Sequence, residues 1–234
     1  MTISYNPNPQ ISIPDSTVVS KTFDGIELRV VTGPDVYQPL DQTSPAFTLL
    51  HDHLKTLEST EGLKIADFGS GTGQFSVWTK NVFPDTEVHA YDIDPNTEKY
   101  QDANKELSNV DFTSHIMNVR DIPSTEEFDA IISSPPFIPD VVKKIGIADY
   151  LNDFPEVSIF GGYKGLEVID IFIQKAGETL KSGGCLVQVH SPSQTEDVEE
   201  LLVNNGFSGI DTWAPNVPTQ LKLDEAMFTI AFKN

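Results

Sequence analysis

At 234 residues with 38% hydrophobic content the chain can bury one sizeable core, and no apolar run approaches the ~20 residues that span a bilayer. Its 35 acidic against 15 basic residues give a formal charge of −20, which repels a phosphate backbone and argues against nucleic acid as a partner. The lone Cys185, in CLVQV, excludes a disulfide framework and reads as a small core residue; MTISYNPNPQISIP lacks a signal-peptide pattern, so a soluble cytoplasmic protein with no membrane association is expected.

The first dozen residues, rich in Asn and Pro, read as a loose arm. Thr17 to Phe23 and Ile26 to Val31 are strand-like and flank Asp24-Gly25, a pair suited to the left-handed positions of a tight hairpin turn. Residues 1–43 are thus expected to form an arm and β-hairpin ahead of a main domain over 44–234. Pro45 opens a helix through Leu57, with Phe47, Leu49, Leu50, His53, Leu54 and Leu57 on a broad apolar face. From Leu63 short apolar runs alternate with helical segments: KIADF, a helix from Phe75 to Asn81, EVHAYD, a helix from Pro95 to Leu107, VDFTSHI and FDAIIS. Such alternation builds an α/β fold, a mainly parallel sheet covered by helices on both faces. Gly165 to Leu180 reads as a further helix ended by Gly183-Gly184, with CLVQVH as the next strand. Thr195 to Asn205 is a helix stopped by Gly206, and the segments around Gly209 to Trp213 and Ala226 to Phe232 are closing strands.

Chemistry is expected first in Asp67-Phe68-Gly69-Ser70-Gly71-Thr72-Gly73. Glycines at alternate positions let the backbone turn sharply and approach a ligand at the carboxyl edge of the sheet. A dinucleotide loop would space its glycines as Gly-x-Gly-x-x-Gly, which is absent, so a dehydrogenase is disfavoured. Asp92 ends the second main-domain strand, where a carboxylate can accept both hydroxyls of a ribose, and Asp67 suits the positive charge of a methionine-derived sulfonium. Together they point to S-adenosylmethionine. Asp94-Pro95 reads as a helix start, and Asp121 as a loop residue.

With DFGSGTG and YDID each ending a strand, the chain from Leu63 onward resembles the class I methyltransferases, which implies their Rossmann-like seven-stranded sheet. The resemblance places Asn118 and the backbone of Val119 against the adenine and adds Gly69, Gly71 and Gly73 to the cofactor set, with Phe75 packing nearby. It also places the acceptor site at Ser134-Pro135-Pro136-Phe137, after FDAIIS. Two prolines in series remove amide hydrogens and hold the preceding residue extended, so carbonyls can be presented rigidly to a substrate N–H. Phe137 would stack on a planar group, and Ser134 would add one hydroxyl.

The segments Asp35-Val36-Tyr37-Gln38-Pro39, FDAIISSPPFIP and FPEVSIFGGYKGLEV are similar to the HemK-type protein-glutamine methyltransferases, which modify the glutamine of a Gly-Gly-Gln loop in translation release factors. That family carries Asn where Ser134 stands and an acidic residue where Lys164 stands. The resemblance implies N-methylation of an amide-type nitrogen, with Ser134, Pro135, Pro136 and Phe137 catalytic and Tyr37 and Phe137 on the acceptor. A small-molecule or peptide acceptor, with the segment from Ile138 to Phe160 reshaping the pocket, is an alternative to a protein one. A non-catalytic subunit keeping the fold is another. No metal is required, and His115 and His190 are read as ordinary core or edge residues.

Overall fold

The computed structural model describes residues 3–23, 25–37, 44–145, 154–214 and 226–234. Strands β1 (Thr17–Phe23) and β2 (Ile26–Thr32) form an antiparallel hairpin closed by the pair Phe23 and Ile26, with Gly25 in the left-handed region at φ 73°. Ile26, Leu28 and Val30 point alternately inward, as the period of two demands. They share one core with Ala46, Phe47, Leu50 and Leu54 of helix α1 (Ser44–Lys55).

The main sheet runs β5-β4-β3-β6-β7-β9-β8, from β3 (Lys64–Phe68), β4 (Glu87–Asp92), β5 (Thr113–Ile116), β6 (Phe128–Ser133), β7 (Leu180–His190), β8 (Phe207–Trp213) and β9 (Met227–Lys233). All neighbours pair in parallel up to β7; β9 is antiparallel to β7 and to β8. Helices α2 (Gln74–Val82), α3 (Asn96–Ser108), α4 (Asp140–Ile145), α5 (Glu167–Thr179) and α6 (Thr195–Asn204) complete the fold. On α5, Ile169, Phe172, Ile173 and Ala176 repeat at helical spacing and bury against Phe68, Phe128 and Ile131, each large side chain contributing roughly 1.5–3 kcal/mol. No helix among the described residues is long and apolar enough to cross a membrane.

Three expectations need correction. Helix α5 begins at Glu167, because Gly165 holds φ 74°, outside helical geometry. It ends at Thr179 without glycine, as Leu180 turns extended while its N–H still bonds the Ala176 carbonyl. Gly183 and Gly184 belong to β7, where the register with β6 shifts between Phe128 and Ala130; a Cβ on Gly184 would lie 2.9 Å from the Asp129 carbonyl oxygen, so the glycine serves a bulge. The strand expected over VDFTSHI is confined to Thr113–Ile116, and α4 was not legible in the pattern.

From β3 the chain builds β4 and β5 on one side and then crosses to β6 and β7 on the other. The crevice of such a sheet opens beyond the carboxyl ends of β3 and β6, where its order reverses.

Candidate active site

A cavity of about 310 Å³ fills that crevice, a size proper to small-molecule sites. One end is made by the turn after β3. Amides of Gly69 and Ser70 both donate to the Tyr91 carbonyl, at 2.9 and 3.0 Å, and Gly69, Gly71 and Gly73 stand at φ 74°, 52° and 79°. Only glycine adopts these freely, and at Gly69 a Cβ would come within 3.2 Å of the Ser134 carbonyl oxygen, so the close approach of the two loops also requires it.

Asp92 closes this end. Its Oδ2 accepts the Gly71 amide at 2.7 Å and its Oδ1 the Asp94 amide at 2.9 Å, leaving lone pairs of both oxygens for further donors. Burial holds its carboxyl above the ordinary range. Asn118 and Val119 line the cavity beside Ile93, and the Asn118 side chain accepts the Arg120 amide at 3.0 Å, capping a 3₁₀ turn over Val119–Asp121. Asp94 lies just ahead of α3, its side chain accepting the Asn96 amide at 2.9 Å.

Two residues of the expected cofactor set stand elsewhere. Gly73 packs away from the cavity: a Cβ there would meet Phe112 at 2.9 Å, so its role is to let the start of α2 approach that ring. Asp67 lies behind the loop, 1% exposed and off the cavity lining, because the alternation of β3 turns it toward α2. There its Oδ2 accepts the Ser76 hydroxyl at 2.7 Å, its Oδ1 has no partner, and burial pushes its carboxyl up to about 7.

The other end is formed by Ser134, Pro135, Pro136 and Phe137, all of which line the cavity, with Val36, Tyr37, Ile138, Val157, Ile159 and Phe160. The Ser134 amide donates to the Phe68 carbonyl at 3.2 Å, tying the loop to the end of β3. Ile138 and Phe160 form a parallel bridge, and Tyr37 packs on Phe154 with ring centroids 5.1 Å apart. Gln38 and Pro39, and residues 146–153 of the segment after Ile138, lie outside the described residues. Among the described residues, the charged members of the lining are Asp92 and Asp94, both at the first end.

Sequence reasoning missed the residues that hold these loops. Gln194, 3% exposed, donates through Nε2 to the Phe137 carbonyl at 2.9 Å and to that of Lys164 at 3.0 Å. A Cβ on Gly165 would collide with the Phe137 carbonyl oxygen, and one on Gly161 with that of Pro136. From α3, Gln101 donates to the Ser70 hydroxyl at 3.0 Å and the Gly71 carbonyl at 3.1 Å. The Ser-Pro-Ser-Gln cap preceding α6 was a visible signal for Gln194, though not for its partners.

Among the described residues, no imidazole, thiol or amine lines the cavity. Tyr91 does, with its phenol pushed by burial to about 12, too high for a base at neutral pH. His190 is fully buried, its ring nitrogens paired with the Ser191 carbonyl and the Thr229 hydroxyl, and His115 stacks on Tyr91 at 4.4 Å. Cys185 is fully buried with its thiol pushed to about 12, an inert core residue as expected.

Residues 27–151 match the methyltransferase small domain family. A release factor glutamine methyltransferase of Neisseria gonorrhoeae is 31% identical over 187 residues, 78% of this chain and 66% of that protein. This chain therefore spans just under two thirds of that relative's length. A Methanocaldococcus jannaschii chain provisionally named as a protein N5-glutamine methyltransferase is 31% identical over 183 residues, 76% of this chain and 82% of its own length. In fold, the 16S rRNA N2 methyltransferase of T. Thermophilus, solved with AdoMet and guanosine, superposes with a TM-score of 0.67 at 19% identity over 94% of this chain and 51% of that one. The sheet order, the glycine turn opposite Asp92 and these matches make the chain a member of the methyltransferase small domain family, among the class I S-adenosylmethionine-dependent methyltransferases.

Proposed function

We propose that the protein methylates a planar amide-type nitrogen, the side chain of a protein glutamine, with S-adenosylmethionine as donor. The observation that carries this reading is that Ser134-Pro135-Pro136-Phe137 faces the same cavity as the Gly69–Thr72 turn and Asp92, with carbonyl groups and an aromatic ring but, among the described residues, no cation on its walls. A phosphate-bearing nucleotide would find no countercharge among those described residues, whereas an uncharged carboxamide needs none.

The cofactor fits the first end. Asp92 offers acceptors for two ribose hydroxyls, Asn118 and Val119 flank the adenine position, and the unpartnered Oδ1 of Asp67 provides negative charge behind the loop. Bound there, S-adenosylmethionine supplies an electrophilic methyl on a sulfonium that departs as a neutral thioether. The protein's share is positioning. The Ser134 hydroxyl and the Pro135 carbonyl accept from the acceptor N–H, Phe137 stacks on its plane, and these fixed dipoles favour the positive charge that develops on nitrogen. The described lining carboxylates, Asp92 and Asp94, both lie at the cofactor end, so the proton leaves to solvent.

Incubation with labelled S-adenosylmethionine and a release-factor domain carrying Gly-Gly-Gln tests the reading. Label on that glutamine is expected. Tight cofactor binding without label would overturn the glutamine acceptor in favour of another neutral acceptor, a peptide or small molecule suited to Ser134 in place of Asn. Absence of cofactor binding would overturn the donor as well and leave a non-catalytic role.

A further inference from the structure

We infer that Asn104 couples the N-terminal hairpin to the cofactor loop, so that docking of the segment over the cavity and binding of S-adenosylmethionine reinforce each other. The inference rests on the S-adenosylmethionine reading and is independent of the acceptor. Asn104 lies on the buried face of α3, fully enclosed, and all of its amide is committed. Its Oδ1 accepts the Val31 amide at 2.6 Å, while its Nδ2 donates to the Val31 carbonyl at 3.1 Å and the Thr72 carbonyl at 2.9 Å. The three partners fix which way the amide points, since an N–H needs the oxygen and two carbonyls need the nitrogen.

Val31 faces Val18 across the hairpin, and Asn104 serves its outer edge as a neighbouring strand would. From Val36 onward the same segment reaches the cavity, where Val36 and Tyr37 form wall. Between these points it is pinned on α3 again. The Tyr100 hydroxyl and the Lys99 ammonium both bond Asp35, and Gly33 passes so close over Tyr100 that a Cβ would collide with the hydroxyl. Val31 and Val36 pack with Tyr100, Ala103 and Leu107 in one cluster. Thr72 belongs to the cofactor turn and lines the cavity. A displacement of the hairpin therefore moves the amide that holds Thr72, and ordering of the cofactor turn tightens the amide that holds Val31. Such coupling is reciprocal by thermodynamic necessity.

The test reads amide hydrogen exchange at Val31, which does not line the cavity, with and without saturating S-adenosylmethionine, alongside calorimetric affinity. In the wild type the cofactor is expected to slow exchange at Val31 at least about fivefold. Asn104→Asp keeps the acceptor for the Val31 amide but loses both donors. It is expected to bind the cofactor at least about fivefold more weakly and to lose the ligand-dependent slowing at Val31. Slowing at Val31 is read against amides of β7 remote from the cavity, because any ligand of the folded state slows exchange through global unfolding and only the excess at Val31 reports the coupling. If Asn104→Asp does not fold, Asp35→Ala, which loosens the segment from the solvent side, is expected to weaken binding about threefold. Wild-type binding without slowing at Val31, or unchanged affinity in the variant that folds, would overturn the coupling. A wild type that does not bind at all would overturn the cofactor reading, and the coupling with it, before any variant is made.

Discussion

The two ends of the cavity are built by different means. The cofactor end is local: Gly69 to Asp94 contains the turn, the acidic strand end and the cap of α3, and its bonds join residues of one β-α-β unit. The acceptor end is assembled from afar, with Ser134–Phe137 held by Gly161, Gly165 and Gln194, and walled by Tyr37. One end is polar and carries Asp92 and Asp94, the charged residues among the described lining; the other is apolar, with Val157 49% exposed. A cofactor common to a large family can be gripped by a fixed local turn, whereas an acceptor is selected by loops whose shape depends on remote contacts.

The sharpest way to separate the ends is Gly165→Ala. A Cβ there strikes the Phe137 carbonyl oxygen, lies 2.8 Å from the carbonyl carbon, and adds strain at φ 74°. The acceptor loop must shift, and methyl transfer is expected to fall about 100-fold with cofactor affinity little changed. Single-turnover rates alongside calorimetry check it; equal losses in both would mean that the ends are one rigid unit. The converse is Asp92→Asn, expected to weaken S-adenosylmethionine binding about tenfold or more through loss of charge-assisted bonds to hydroxyls. Acceptor KM at saturating cofactor should then stay close to that of the wild type.

The same contrast explains what was legible in the sequence. Strand periodicity placed β3, β4 and β6 at their observed bounds, and alternate glycines followed by a distant Asp exposed the cofactor turn, because each signal is contained in a short window. Ser134-Pro135-Pro136-Phe137 was legible for the same reason. Gly165 was misread as helix and Gly183-Gly184 as a helix stop, since a glycine used for close packing or for a bulge looks in sequence like one used for a cap. Asp67 was placed on the cofactor by its neighbours in the motif, while strand alternation, equally readable, turns it to the opposite side from Phe68. Gln101 and Asn104 carry no local signature, and the cap that marks Gln194 says nothing of its loop partners, because a buried amide's partners are set only by the fold.

A smaller effect is expected of Gln194→Leu, which keeps the bulk but removes the donors to Phe137 and Lys164. Two neutral hydrogen bonds in a bracket that Gly161 and Gly165 still support should cost about fivefold in kcat with cofactor affinity unchanged. Ser191→Ala, which breaks the adjoining cap but leaves Gln194 Nε2 in place, is the control that separates positioning from stability. Comparable kcat losses in both would assign the effect to the cap.

The smallest effect concerns protons at the cofactor end, and its sign follows from burial. Removal of Asp67 from water pushes its carboxyl to about 7, with Ser76 pulling the other way and Asp92 adding to the rise. Between the ordinary carboxylate range and about pH 7 the folded protein thus holds a proton here that the unfolded chain has lost. The stability contributed is complete at low pH and is lost as pH rises through about 7. A cationic ligand favours the ionised carboxylate, so cofactor binding must expel that proton. Affinity for S-adenosylmethionine is then expected to rise about threefold from about pH 6 to 8, with proton release seen as a buffer-dependent heat. In Asp67→Asn the rise should vanish while Asp92 keeps its own bonds from Gly71 and Asp94, so the difference between the two profiles isolates Asp67. A wild-type profile as flat as that of the variant would show that Asp67 serves Ser76 and the start of α2 alone, and that the cofactor end senses charge only through Asp92.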